Sequence, residues 1–331
     1  MNHKGTKDTK EERKKGKFIM WLNYGVDNSG ILVYIEDVCS GKSRLKCPYC
    51  SGTLTAKKGK KKSHHFAHTD ETCRSVANQE FPVLPFYDSF NIQLSGKDLK
   101  LLKLLWNEYG SRNYAVSSQL LTPGLLKSGL LNKNVYIVPP GYEFNDLGKI
   151  PVGALDLALF NSVQEPLILK KLLKLELAVE HATFKKTSDL STRIIDLQLY
   201  RAQLRRILSC TLYFLEIQTD KELFYKVGVT GRHIQKRLKE VEIDLVAHYK
   251  TIKIEVLGAW ENRGNIEKYF KHRYQSFNYP IGSLTEYYKF SSDNVKTVMD
   301  DLQQIQPKQL TQTELDILAE EQYQIKVLIN R

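Results

Sequence analysis

Cys47-Pro48-Tyr49-Cys50 constrains the fold of this chain more than any other stretch of it. A CxxC loop can present two thiolates to one tetrahedral ion, and a second pair of nitrogen or sulfur ligands roughly 12–20 residues later closes such a site. Here His64-His65-Phe66-Ala67-His68 follows, with fourteen residues between Cys50 and His65. That is the spacing of a small metal-bearing β-ribbon. The plainer alternative is a reduced thiol pair beside surface histidines. Five cysteines in all (Cys39, Cys47, Cys50, Cys73 and Cys210), an odd count with one tight pair, do not make a disulfide framework, so a reducing cytoplasm is the expected setting.

The flanking pattern is strand-like. Phe18-Ile19-Met20-Trp21-Leu22 and Ile31-Leu32-Val33-Tyr34-Ile35 are separated by Asp27-Asn28-Ser29-Gly30, a turn-forming tetrapeptide. Charge is concentrated in the same region. Of a net +12 over 331 residues, residues 1–72 carry fifteen Lys/Arg against eight Asp/Glu, or +7. Residues 1–16 read as a disordered basic tail, and Lys57, Lys58, Lys60, Lys61 and Lys62 form a second run between the cysteines and the histidines. The excess points to a polyanionic partner. No apolar run approaches the ~20 residues of a membrane span, and no apolar stretch turns the basic N-terminus into a signal peptide.

Cys-Pro-x-Cys, a strand with Leu54, a Lys-x-Gly-Lys turn and then His-Phe-Ala-His resemble the N-terminal zinc-binding region of the competence protein CoiA-like family over about residues 17–75. The resemblance implies a structural Zn²⁺ held by Cys47, Cys50, His65 and His68, with His64 or Cys73 able to replace a histidine. Four protein ligands leave no open coordination position for chemistry. The lysines at 57–62 then ride on the ribbon's hairpin as a phosphate-facing patch.

Proteins of that family carry a restriction-endonuclease-like, PD-(D/E)xK segment next, which needs two carboxylates at adjacent strand ends and a lysine. Asp156 in Leu155-Asp156-Leu157-Ala158-Leu159 and Glu176 in Leu175-Glu176-Leu177-Ala178-Val179-Glu180-His181 are the candidates, with Lys185 or Lys186 after them. Alanine stands at 178, where the motif's lysine belongs. Leu172–Val179 and 194–199 are expected as strands, short ones are expected about Pro139-Pro140-Gly141, and 99–109 carries a helical stripe.

The sharpest pattern lies at 211–292. Leu212-Tyr213-Phe214-Leu215 opens a strand, Phe224-Tyr225-Lys226-Val227-Gly228-Val229-Thr230 follows, then Arg232, Lys236 and Arg237 on a helix, and Asn265-Ile266-Glu267 at the start of another. This is similar to the GIY-YIG nuclease superfamily, in its phage-type branch. The resemblance implies a mixed sheet with flanking helices, Tyr213 and Arg237 as catalytic groups, Gly228 as the second-motif glycine, and Glu267 holding one Mg²⁺ or Mn²⁺. The second-motif tyrosine position holds Lys226, with Tyr225 one place earlier, and a one-residue offset in a strand turns a side chain to the other face. Lys226, Arg232 and Lys236 are further candidates for DNA contact.

The expected molecule is therefore an α+β multidomain protein. It has a β-rich zinc ribbon (17–78), a middle α/β restriction-endonuclease-like segment (79–205), a GIY-YIG-type domain (211–292) and C-terminal helices (293–331). In those helices Thr311-Gln312-Thr313-Glu314 has capping-box form, followed by Leu315, Ile317, Leu318, Ile325 and Leu328. The expected function is a divalent-metal-dependent DNA endonuclease, with a non-catalytic DNA-binding protein as the alternative. Double-strand cutting leaves homodimerisation open.

Overall fold

The structure, a computed structural model, describes residues 21–59, 63–78, 81–92 and 94–320. The basic tail, Phe18 to Met20, Lys60, Lys61, Lys62, Ile325 and Leu328 lie outside the described residues. The chain is mixed α+β with several antiparallel sheets, divided into two compact units. One comprises the described residues of 91–152; the other comprises 21–90 together with 153–320.

Strands β1 (Tyr24–Val26), β2 (Leu32–Tyr34), β3 (Gly41–Lys46), β4 (Thr53–Lys57) and β5 (His65–His68) form one sheet in the order β2-β1-β3-β4-β5. The turn expected at 27–30 forms, but the strand that pairs with β2 across it is Tyr24–Val26, beyond the expected 18–22 run. The Asp27 carboxylate accepts from the backbone N–H of Ser29 (2.8 Å) and of Ile31 (2.9 Å), setting Val26 opposite Leu32. Leu22, Ile35, Leu45, Leu54, Ala56 and Phe66 make the core under this sheet. The short α1 (Arg74–Ala77) follows, begun by Cys73.

Within 91–152, α2 (Gly96–Glu108) buries Leu102 and Leu105, the inner face of the expected helical stripe. Its Ser95 cap accepts from the Asp98 N–H at 3.1 Å, closing one of the helix's open donors. β6 (Val116–Ser117), α3 (Pro123–Lys127), β7 (Leu131–Asn134), β8 (Gly141–Phe144) and α4 (Asp146–Lys149) complete the unit, with sheet order β6-β8-β7.

The middle segment departs from expectation. Residues 157–208 form two long helices, α5 (Leu157–Lys185) and α6 (Leu190–Leu208), with no strand between them. The Leu172–Val179 run and 194–199 are therefore helical. A short apolar run fits a buried helix as well as a strand, and length decides between them. This one is embedded in 29 residues rich in Leu, Lys, Glu and Ala, all strong helix formers. Phe160, Gln164, Ile168 and Leu172 recur at helical spacing on its buried side, and Tyr200, Leu204 and Leu208 of α6 meet that side.

The last part begins with β9 (Thr211–Thr219), β10 (Leu223–Thr230), α7 (Ile234–Val246), β11 (Ile252–Trp260), α8 (Ile266–Arg273) and β12 (Tyr287–Tyr288). The antiparallel sheet runs β11-β9-β10-β12. Tyr213, Leu215, Ile217 and Phe224 pack with Val241 and Leu245 of α7 on one face. Phe214 and Tyr225 meet Phe290 on the other face, where Phe214 also meets Phe270 of α8. α9 (Ser292–Gln303) and α10 (Gln312–Ala319) close the described chain, and α10 opens with the capping box expected at Thr311 and Glu314. No described helix is long and apolar enough to cross a membrane.

Candidate functional site

Cys47 leaves the end of β3, and the chain turns back on itself. The Ser51 N–H donates to the Cys47 carbonyl (2.9 Å), and the Cys47 N–H to the Gly52 carbonyl (2.8 Å). Ser51 adopts φ +60°, and the Gly52 N–H points at Cys50 Sγ (3.4 Å). A side chain at Gly52 would sit 3.3 Å from both Cys50 Sγ and the His68 ring, so glycine leaves the knuckle room to face β5. His68 ends β5, and Cys73 enters from the start of α1.

The ligand atoms of Cys47, Cys50, His68 and Cys73 all lie within 4.8 Å of one another. Cys47 Sγ is 3.9 Å from Cys73 Sγ, and Cys50 Sγ is 3.2 Å from His68 Nε2. Zn–S bonds of about 2.3 Å in a tetrahedron place sulfurs roughly 3.8 Å apart, so three sulfurs and one nitrogen fit a structural Zn²⁺. Burial lowers the His68 pKa, which favours the neutral ring a metal requires. Its Nδ1 is buried with no hydrogen-bond partner among the described residues.

His65 is a correction. Positions three apart in a strand face opposite ways, and β5 turns His65 away from His68. The His65 ring stacks on Trp21 at 4.0 Å, and its Nδ1 lies 2.7 Å from the Ser63 carbonyl. His64 is held by Glu36 at 2.9 Å. Cys73 brings the fourth candidate ligand atom to the cluster instead.

In the C-terminal part, β9 and β10 pair so that Tyr213 lies opposite Gly228, and Leu215 opposite Lys226. A Cβ at Gly228 would stand 2.4 Å from the Tyr213 hydroxyl. The phenol lies over the glycine, and no larger residue fits. From α7, Arg237 donates its Nε–H to the Tyr213 hydroxyl at 3.1 Å and pairs with Glu240 at 2.9 Å. Tyr213 is fully buried. Burial pushes its pKa up against the opposing pull of Arg237, with the charges of Glu286 and Glu267 also acting on it.

Glu267, in the first turn of α8, is 13% exposed and paired with Lys271 at 3.0 Å. Lys271 also holds Glu286 at 2.5 Å, and Glu286 takes the Lys226 ammonium at 3.2 Å. Burial opposes the charges of Lys271 and Glu286, yet the lysine's pKa is raised and the glutamate's falls to about 2. Lys226 is lowered by its own burial. Lys226 is thus an interior member of a charge chain rather than an exposed phosphate contact. Lys271 and Glu286 escape sequence reasoning. Glu267 and Lys271 do stand in i,i+4 spacing, but Glu286 joins them only through the fold.

These two constellations fall inside the two segments that known families match. The family model described as Competence protein CoiA, N-terminal domain, matches residues 36–76, and the T5orf172 domain model matches residues 211–303. No curated protein and no solved structure matches the chain.

The remaining candidates lie elsewhere. Tyr225 faces away from Tyr213, with its hydroxyl donating to Glu216 at 3.1 Å and its ring on Phe214. Asp156 precedes α5 and pairs with Arg273 at 2.6 Å, while Glu176 in mid-helix pairs with Arg201 at 3.1 Å. Twenty helical residues separate the two carboxylates by about 30 Å, so they do not share an ion. Lys185 ends the same helix, its ammonium over the Phe184 ring.

Among the basic residues, Lys57 is exposed at the end of β4, as expected of a hairpin lysine. Lys58 folds back on the Glu36 carbonyl (3.1 Å) and carboxylate (3.4 Å). Arg232 is exposed but paired with Glu240, and Lys236 is exposed on α7.

Proposed function

We propose that this chain binds DNA and hydrolyses its phosphodiester bonds through a GIY-YIG-type module at 211–292, while a zinc-stabilised ribbon at 17–78 helps to hold the duplex. The single observation that carries this reading is Tyr213, packed over Gly228 and hydrogen-bonded to Arg237. Two strands and a helix thereby bring three landmarks together, and the charge of Glu267 acts on the phenol. The two family matches support the same class of function.

Each residue has work suited to its chemistry. The Arg237 guanidinium can offer donors to phosphoryl oxygens as charge builds on them. The Tyr213 oxygen accepts from Arg237, which leaves its own O–H to orient a water or phosphate oxygen. Arg237 favours the phenolate and so opposes the burial that keeps the proton on. Glu267 would hold a single Mg²⁺ or Mn²⁺, which when bound stabilises the leaving oxygen. One carboxylate with substrate phosphate is an ordinary Mg²⁺ donor set, and Lys271 must release it. Cys47, Cys50, His68 and Cys73 would hold the Zn²⁺, whose part is structural.

The occupied Glu267 carboxylate favours a second reading, a DNA-binding protein that does not cut. Plasmid nicking with Mg²⁺ or Mn²⁺ separates the two. The nuclease reading expects nicked circles from the native chain and none from Glu267→Ala. Nicking that survives Glu267→Ala removes that residue from the site. Binding without nicking under either metal establishes the second reading.

A further inference from the structure

We propose that the outward face of α5 is a self-association surface, on which a second copy of this chain lies antiparallel about a two-fold axis near position 175. The inward face of α5 is spent on Phe160, Ile168 and Leu172. On the other side Leu159, Leu173, Leu177 and Phe184 are exposed by 45%, 55%, 54% and 80%. These large apolar side chains fall on one line. Steps of four and three through Leu159, Val163, Pro166, Lys170, Leu173, Leu177, Glu180 and Phe184 trace the seam of a heptad, the pattern by which one helix receives another.

The two charges in that seam choose the occupant. Lys170 and Glu180 are both exposed, and neither has an ion-pair or hydrogen-bond partner among the described residues. They stand about 15 Å apart along the helix and cannot satisfy each other within one chain. Laid antiparallel on itself, the helix sets Lys170 against Glu180 of the second copy, twice by symmetry. Leu173 then meets Leu177 of the second copy, and Phe184 meets the flat ring of Pro166. An isologous contact requires this reciprocity, residue for residue.

Other arrangements waste the charges. A parallel pair sets Lys170 on Lys170 and Glu180 on Glu180. Sliding the antiparallel pair by one heptad puts Lys170 against Leu173 and Glu180 against Val163, leaving charges pressed onto apolar side chains. Like charges opposed, or charges covered without a partner, both cost stability. The sequence of the seam thus specifies orientation and register together. The proposal is independent of whether the C-terminal module cuts.

Sedimentation velocity of the full chain, without DNA, tests it. The native chain is expected to approach twice the monomer mass as concentration rises, and Leu173→Glu to stay monomeric. Lys170→Glu and Glu180→Lys are each expected to weaken the dimer by about tenfold or more, and the double exchange to return it to near the native value. All four variants change exposed positions, so unchanged thermal melts exclude misfolding as the cause. A native chain that stays monomeric at the highest attainable concentration overturns the proposal. A double exchange no better than its single members overturns the antiparallel register.

Discussion

The Cys47–Cys50–His68–Cys73 cluster and the Tyr213–Arg237–Glu267 neighbourhood differ in what their folds already satisfy. In the first, three thiols and an imidazole converge with no counter-charge among them, and burial pushes the Cys47 thiol well up. Such a cluster keeps thiolates only if a cation joins it. In the second, each charge has a partner: Arg237 with Glu240, Glu267 and Glu286 with Lys271, and Glu286 also with Lys226. The first cluster can take a cation without displacing a charged partner, whereas the second holds its charges paired until an ion or phosphate displaces something.

The largest expected effect breaks that comparison at the first site. Cys47→Ser, or strong chelation, is expected to empty the ribbon of zinc and unfold residues 21–78, since structural zinc contributes on the order of 10 kcal/mol. Metal content and protease sensitivity of the ribbon read this out, with Glu267→Ala as the control that keeps its zinc. Unchanged metal stoichiometry in Cys47→Ser would mean that the cluster is only a thiol pair beside a histidine.

Next in size is a paired test of the second site. Tyr213→Phe removes the hydroxyl that Arg237 touches and is expected to slow nicking about 100-fold or more. Tyr225→Phe, on the opposite face, is expected to leave nicking within a few-fold of native. Equal losses would show that the two faces are not functionally distinct. Smaller again is Gly228→Ala, which drives a methyl into the Tyr213 ring. Overpacking of this kind costs about 1–3 kcal/mol, measurable by urea unfolding, and an unaffected midpoint would deny the close approach.

The two sites were not equally legible. The glycine and tyrosine of the C-terminal module were named by the resemblance, and the fold sets them opposite each other because antiparallel strands joined by a tight turn fix their register locally. The knuckle was readable for the same local reason, as CxxC closes its own turn. Cys73 and Glu286 were harder, since each reaches its site from a separate element that only tertiary packing brings near. His65 misled because the resemblance's HxxH pattern names it, while positions 65 and 68 face opposite ways in a strand. Asp156 and Glu176 misled for the opposite reason: Leu175, Leu177 and Val179 alternate as in a strand, yet the long helix around them prevails.

The smallest effect sharpens the comparison most, because it probes the self-satisfied network without touching Tyr213, Arg237 or Glu267. Glu286 ionises in the folded protein at about 2, against an ordinary 4.5: burial opposes its charge, and Lys271 and Lys226 overcome that opposition. A carboxylate depressed in this way contributes stability above pH 4.5 and loses it as pH falls toward 2. With its side chain 40% exposed, the contribution is screened to under about 1 kcal/mol. Native protein should therefore lose slightly more stability than Glu286→Gln between pH 4.5 and 2, the two curves meeting at the acid end. The same substitution relieves Lys271 of one of its two carboxylates and binds it more firmly to Glu267. Nicking by Glu286→Gln should then require more Mg²⁺ than the native chain does. An unchanged Mg²⁺ requirement would mean that Lys271 does not compete for the carboxylate, and that the second site is as open to an ion as the first.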